Sequence, residues 1–294
     1  MEAEWVLAGR RVRVKNLEKV FFPDAGITKG DLLAYYRKAA RWMLPHLNGR
    51  PLTLYQCPDG LLGKCFFRRK LPEHAPEWFP RVLHNPKTKT GSVPLILVED
   101  EAHLIWLANQ AAVEFHTWNA RVGKLDHPDR LVLDLDPGEV AFERVLEAAL
   151  TLRAELERRG LASWPKTSGG RGLHLLVPLV PEYTHAELRA WARTLAEELE
   201  ERYGWIRRPK GRSHVGTGVQ LDYAQNGYGR NTAAPYTVRA RPGAPVSTPL
   251  RWEEIERGGI TPETFTPAVV LERLRIQGDP MAGMLATEQR LPAT

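Results

Sequence analysis

Asp134 and Asp136 sit two residues apart in Arg130-Leu-Val-Leu-Asp-Leu-Asp136, an apolar stretch stopped by Pro137-Gly138. If the stretch is a strand, residues i and i+2 project from one face, so the two carboxylates repel each other at close range. A hard divalent cation between them removes that cost, and oxygen-only donors select Mg²⁺ or Mn²⁺. Asp222 has the same setting in Val219-Gln-Leu-Asp-Tyr223, and an isolated carboxylate in such a segment needs a partner. Three acids from two strands suit a pair of cations about 4 Å apart, an arrangement that activates an attacking hydroxyl and stabilises a leaving pyrophosphate. Thr167-Ser168-Gly169-Gly170-Arg171-Gly172-Leu173-His174 offers the complementary chemistry. Its glycines let backbone N–H groups form an anion nest, and Ser168, Arg171 and His174 add donors suited to a triphosphate. Arg239 and Arg241 alternate with small residues on an expected strand and share a face there.

The elements that must position these groups follow from periodicity. Residues 130–136, 173–178 and 218–223 read as strands and residues 165–172 as a loop. Phe142–Arg159, closed by Gly160, and Thr184–Tyr203, with a Thr184/Glu187 capping box and Gly204 behind it, read as long helices. Their order, β-α-β-α-β, predicts an α/β lobe. Upstream, Thr28 and Asp31 open a helix that is expected to stop at Pro45. Residues 51–56, 65–67 and 94–98 read as strands, and 101–119 begins as a helix and turns to strand near Val113. Two further basic segments, His84–Gly91 and Arg207–Arg212, read as loops.

The whole-chain numbers exclude more than they assign. The 294 residues carry 41 Lys plus Arg against 35 Asp plus Glu, a net charge of +6, which permits a polyanionic partner without demanding one. No apolar run reaches the length of a membrane span and the N-terminus has no signal-peptide pattern, so no membrane association and a cytoplasmic location, nucleoid-associated during repair, are expected. Cys57 and Cys65 form no CxxC pair and are expected as reduced, partly buried thiols.

Leu-Asp-Leu-Asp-Pro-Gly, Thr-Ser-Gly-Gly-Arg-Gly-Leu-His, Leu-Asp-Tyr-Ala-Gln-Asn and Ala-Pro-Tyr-Thr-Val-Arg-Ala-Arg, together with Asn16-Leu-Glu-Lys19-Val-Phe-Phe-Pro and Lys64-Cys-Phe66-Phe67, resemble the polymerase domain of bacterial DNA ligase D, in the archaeo-eukaryotic primase superfamily. The resemblance covers nearly the whole chain. It implies a primase-polymerase fold of the α/β (α+β) class, with two packed lobes and an RRM-like catalytic sheet flanked by helices. Residues 1–120 would form an N-terminal lobe, 121–276 the catalytic lobe and 277–294 a loosely held tail. It implies a template-dependent nucleotidyltransferase that fills gaps and extends DNA ends in non-homologous end joining with NTP or dNTP. Asp134, Asp136 and Asp222 would hold two Mn²⁺ or Mg²⁺ ions. His116, Ser168, Gly169, Arg171, His174, Gln225 and Arg239 would contact the nucleotide. Lys19 and Lys29 would hold a DNA 5′-phosphate, and Phe66 and Phe67 would stack on bases, although alternation on a strand makes one of the two rings structural.

Two departures from the family pattern stand out. Leu52–Gln56 lacks the basic residue usual after Pro51, and Val215–Val219 is neutral where a basic residue is usual, its charges lying earlier at Arg207, Arg208, Lys210 and Arg212. With no ligase segment in the sequence, sealing is expected from a separate DNA ligase, alongside Ku. Two other readings stay open at this level: a primase that starts chains on single strands, and a non-catalytic module that bridges DNA ends.

Overall fold

The computed structural model describes residues 2–86, 91–209 and 218–292. It divides into two compact units, the first made of residues 1–118, 233–246 and 266–278 and the second of 119–232, 247–265 and 279–294. The first crossing lies beside the expected boundary at 120, but the chain returns twice to the first unit.

In the first unit, β1 (Glu2–Leu7) and β2 (Arg10–Lys15) form a hairpin, and β3 (Val20–Phe22) pairs with β4 (Ile27–Thr28). Helix α1 (Lys29–Leu47) begins with the expected Thr28/Asp31 capping box. It runs past Pro45, which sits in the last turn, where one lost backbone bond costs least. Strands β5 (Leu52–Gln56) and β6 (Phe66–Arg68) are antiparallel, and Gln56 faces Phe66. That register brings the residues just beyond the paired segment together, so Cys57 and Cys65 form a disulfide instead of the expected free thiols. Residues 95–98 are buried as expected, yet only β8 (Val93–Pro94) pairs, with β7 (Leu83–His84). Helix α2 (Glu101–Asn109) and strand β9 (Ala112–Trp118) reproduce the expected change of period, and β9 lies antiparallel to β5.

The second unit is built on a five-stranded sheet in the order β11-β12-β10-β14-β13. Its strands are β10 (Arg130–Asp136), β11 (Trp164–Thr167), β12 (Leu173–Pro178), β13 (Ile206–Arg207) and β14 (Val219–Asp222). Helix α3 (Phe142–Arg158) lies against β10, β12 and β14 and buries Val145, Ala149, Leu152 and Leu156 along one stripe. Helix α4 (His185–Tyr203), with the expected capping box and Gly204 in the left-handed region, packs on β13. Strand β11 falls in a segment read as loop. Pro165 argues against a strand in mid-sheet, but β11 is the edge, where proline is tolerated.

The tail also departs from expectation. Met281 and Met284 are buried against Val132, Leu176 and Trp164, and the Gln289 side chain bonds the Ala162 and Pro178 carbonyls. Val132 shares its face with Asp134, so residues 281–284 cover the apolar part of that face and leave the acidic part alone. The same strand is pinned by Asn226, 1% exposed, whose amide accepts from Val132 N–H at 2.8 Å and donates to Val132 C=O at 2.7 Å. Asn226→Ala leaves two buried backbone groups without partners and is expected to cost about 3 kcal/mol in urea unfolding. A loss under about 1 kcal/mol would contradict this. Among the described residues no helix is long and apolar enough to cross a membrane.

Candidate active site

In the second unit the register gathers the sequence-predicted acids. Asp134 lies directly opposite Asp222 on β14 and opposite His174 on β12. Directly paired residues share a face, and so do Asp134 and Asp136. Asp136 faces Gln220. The acids therefore occupy the C-terminal half of β10 and its neighbour on one face of the sheet. His174 Nε2 lies 3.3 Å from Asp134 Oδ1, so the imidazole is engaged by a carboxylate. Lys166, 1% exposed, lies opposite His174 and extends the row to the sheet edge, with its ammonium donating to Ser247 Oγ at 2.6 Å.

Asp222 turns toward its own chain. Its Oδ1 accepts from Ala224 N–H at 2.7 Å and its Oδ2 from Gln225 Nε2 at 3.3 Å, which brings Gln225 beside the acid. Burial raises the Asp222 carboxyl above the usual range, and the charge of Asp134 pushes the same way. Among the described residues no three acidic, histidine or cysteine groups are already drawn together at metal-coordinating spacing. The donor set nevertheless suits a hard divalent ion. It is made of carboxylate oxygens on one face, and two of the acids stand opposed across adjacent strands, where like charges repel until a cation lies between them.

The glycine loop beside β12 is more closed than an open nest. The Gly170 and Gly172 amides both converge on Ser168 Oγ, at 3.1 and 3.2 Å, and Ser168 N–H bonds Gly172 C=O. Gly169 takes φ +66° to make this turn. Arg171, by contrast, is exposed at the loop tip and can meet a polyanion.

The remaining predicted residues belong to the first unit and fall into two groups. His116 on β9 bonds Glu114 at 2.6 Å, and Arg239 reaches the same carboxylate at 3.0 Å. Arg239 is not on a strand. Val238 makes a single bridge to Val246, because a turn through Gly243 and Ala244, both at positive φ, sends the chain straight back. Arg241 is exposed, unlike the half-buried Arg239.

The second group lines a cleft of about 300 Å³ formed by Lys19, Lys29, Arg68, His74, Asn109 and Phe66, among others. Lys19 Nζ donates to Pro58 C=O and Asp59, each at 2.7 Å, and Lys29 Nζ donates to Lys15 C=O at 2.7 Å and Asn109 Oδ1 at 2.8 Å. Burial, followed by the charge of Lys19, pulls the Lys29 ammonium down to about 8. Phe66 and Phe67 are both exposed, at 38% and 55%. Neither ring is core. The two rings divide between the groups: Phe66 lines the lysine cleft, and Phe67 packs on Tyr55 at 4.6 Å and edge-on to His116 at 5.9 Å.

Glu114, Lys166 and Asn109 were missed in the sequence. The signal for Glu114 was present: an acid inside an apolar strand, as at Asp222. Lys210, Arg212 and residues 215–217 of the expected primer-handling loop, and Lys87–Thr90 of the upstream basic loop, lie outside the described residues.

Residues 28–281 match the family model described as LigD, primase-polymerase domain. The chain belongs to that family. Among relatives of the LigD family, the multifunctional non-homologous end joining protein LigD of Mycolicibacterium smegmatis is 35% identical over 276 residues, covering 92% of this chain and 36% of the relative. The bifunctional LigD of Bacillus subtilis is 32% identical over 288 residues, covering 96% and 45%. The chain thus spans less than half the length of these relatives. A solved LigD structure, the polymerase domain from Mycobacterium tuberculosis ligase D in complex with DNA, superposes with a TM-score of 0.86 at 31% identity, covering 94% of this chain and 98% of that one. The mixed α/β fold is that of a LigD polymerase domain. Polymerase domains of the LigD family are metal-dependent nucleotidyltransferases.

Proposed function

We propose that this chain is a template-directed nucleotidyltransferase that fills gaps and extends DNA ends in non-homologous end joining, using NTP or dNTP and two divalent ions, Mn²⁺ or Mg²⁺. The observation that carries this reading is the opposition of Asp134 and Asp222 across β10 and β14, with Asp136 on the same face. Bound there, the ions would lower the pKa of a primer 3′-hydroxyl and offset charge on the reacting phosphate. Asp134, Asp136 and Asp222 would hold them. His174, fixed on Asp134, keeps that carboxylate oriented, and Arg171 offers a guanidinium to a triphosphate. In the first unit, His116 and Arg239 serve as nucleotide contacts, Lys19 and Lys29 receive a DNA 5′-phosphate, and Phe66 and Phe67 stack on bases. Ku and a DNA ligase activity are its partners in this reading, and the nucleoid is its place of work.

Incubation with labelled nucleotides and Mn²⁺ on a gapped 5′-phosphorylated duplex, beside an unprimed single strand, tests the reading. Incorporation on the gapped duplex alone is expected. Chains started on the unprimed strand would indicate a primase, and binding without incorporation would leave only an end-bridging module.

The lysine cleft gives a pH prediction. Below about pH 8 the Lys29 ammonium is charged, and above it Lys29 loses its proton in the free protein. Preference for a 5′-phosphorylated over a 5′-hydroxyl duplex is therefore expected to fall up to about tenfold between pH 7 and 9, whereas ordinary lysines hold their charge to about pH 10. Fluorescence anisotropy with the two duplexes reads this directly. A preference constant to pH 9.5 would contradict the role of Lys29.

A further inference from the structure

Glu114 is 5% exposed, yet its carboxylate is crowded with donors from two distant parts of the sequence. His116 Nε2 lies 2.6 Å from Oε2, Arg239 Nε lies 3.0 Å from the same oxygen, and the Ala240 N–H donates to Oε1 at 2.8 Å. Glu114 and His116 are two residues apart on β9 and so share a face. Tyr55 lies opposite Glu114 and Thr53 opposite His116 on β5. Phe67 packs on Tyr55 and meets the edge of His116, so the carboxylate lies beneath a patch made of an aromatic ring, an imidazole and a guanidinium.

We infer that Glu114 is a positioning residue that locks His116 and Arg239 into one nucleotide-contacting arrangement. The inference rests on the proposed reading of those two side chains as nucleotide contacts, and it assigns the group that sets their geometry. An ionised carboxylate only accepts hydrogen bonds, so His116 must carry a proton on Nε2 and its ring is fixed in one orientation. Arg239 sits on a segment with no sheet pairing beyond a single bridge, and the Glu114 contacts to its guanidinium and to the next backbone amide anchor it. Burial pushes the Glu114 carboxyl up, but the His116 hydrogen bond and the charges of Arg239 and His116 outweigh it and hold it at about 2. The carboxylate therefore stays charged across the working range.

Glu114→Gln keeps the shape and one acceptor oxygen and removes the charge. The expected result is a rise of about tenfold in KM for the incoming nucleotide, kcat within about threefold of the parent, and unchanged affinity for a 5′-phosphorylated duplex. His116→Ala is expected to raise the nucleotide KM by itself. In that background Glu114→Gln should add less than it does alone, because part of what it positions is gone. Fully independent effects in this cycle would mark a merely structural residue and overturn the inference, as would an unchanged KM in Glu114→Gln beside a raised one in His116→Ala. An unchanged KM in His116→Ala would overturn the nucleotide-contact reading itself. If Glu114→Gln does not fold, Glu114→Asp keeps the charge and shortens the reach, and a KM equal to the parent's would overturn the inference.

Discussion

Replacing Asp134 with alanine is expected to lower nucleotide incorporation by about 10³-fold or more, some 4 kcal/mol of transition-state stabilisation, without weakening the fold. Asp134 is the centre of the acidic face: Asp222 opposes it on one side, His174 Nε2 lies 3.3 Å from it on the other, and Asp136 lies two residues along the same strand. In the proposed reading its removal would take a ligand from the ions and the neighbouring carboxylate from the imidazole. In the metal-free protein the effect on stability has the opposite sign. Asp222 titrates above its ordinary range because of burial and the Asp134 charge. A carboxyl whose folded pKa is raised makes the folded state lose stability as pH climbs from the unfolded value through the folded one. Removing the opposing charge returns part of it, so Asp134→Asn should raise the metal-free melting temperature slightly, by the equivalent of about 0.5 kcal/mol. Mn²⁺ should raise the melting temperature of the parent protein and scarcely move that of the variant, since only the folded acidic face binds the ion. Incorporation within tenfold of the parent, or an equal Mn²⁺ shift in both proteins, would sink the assignment of Asp134.

Gly172→Ala is the second large effect. A methyl at this position would lie 2.1 Å from the Leu135 carbonyl oxygen, 3.1 Å from its carbon and 3.3 Å from Asp136 Oδ1. The obstacle is backbone in the central strand, which is bonded on both sides and has nowhere to go. Overpacking of this kind costs about 3 kcal/mol. Because the displaced peptide lies between Asp134 and Asp136, incorporation should fall about 100-fold as well. Gly160→Ala makes the control: its φ is +74° but the added methyl meets nothing within 4 Å, so about 1 kcal/mol and unchanged activity are expected. Urea titration and incorporation assays on both variants decide the matter. Gly172→Ala within about 1 kcal/mol of the parent would show that β10 and the loop can move apart.

What could be read in the sequence was local. The strand 130–136, the helices around it and both capping boxes rest on period and on residues a turn apart, and the grouping of Asp134, Asp136 and Asp222 needed only alternation plus a shared sheet. What could not be read depends on which distant segments meet. Glu114 gains its meaning from Arg239, which arrives from a turn far along the chain. Met281 and Met284 lie in an aperiodic stretch, and only the apolar half of the β10 face explains why they are buried. The assumption that alternation hides one of Phe66 and Phe67 presumes a covered sheet face at β6, and both rings are exposed there. Cys57 and Cys65 have no diagnostic spacing; the hairpin register pairs them.

The interleaving of the two units has a consequence for synthesis on the ribosome. The first unit draws on residues up to 278, about 160 positions beyond its first continuous stretch. At the usual pace of translation its N-terminal 118 residues wait on the order of ten seconds for Tyr236, Thr237 and Arg239 to emerge. During that interval β9 lacks the Thr237 hydroxyl that accepts from Phe115 N–H, and Tyr36 lacks the Val238 amide that it later receives. Nascent chains of this protein therefore expose an unfinished sheet, and a cut placed between residues 118 and 119 would yield an N-terminal fragment that lacks part of its own unit and a C-terminal fragment that carries the missing pieces beside its own.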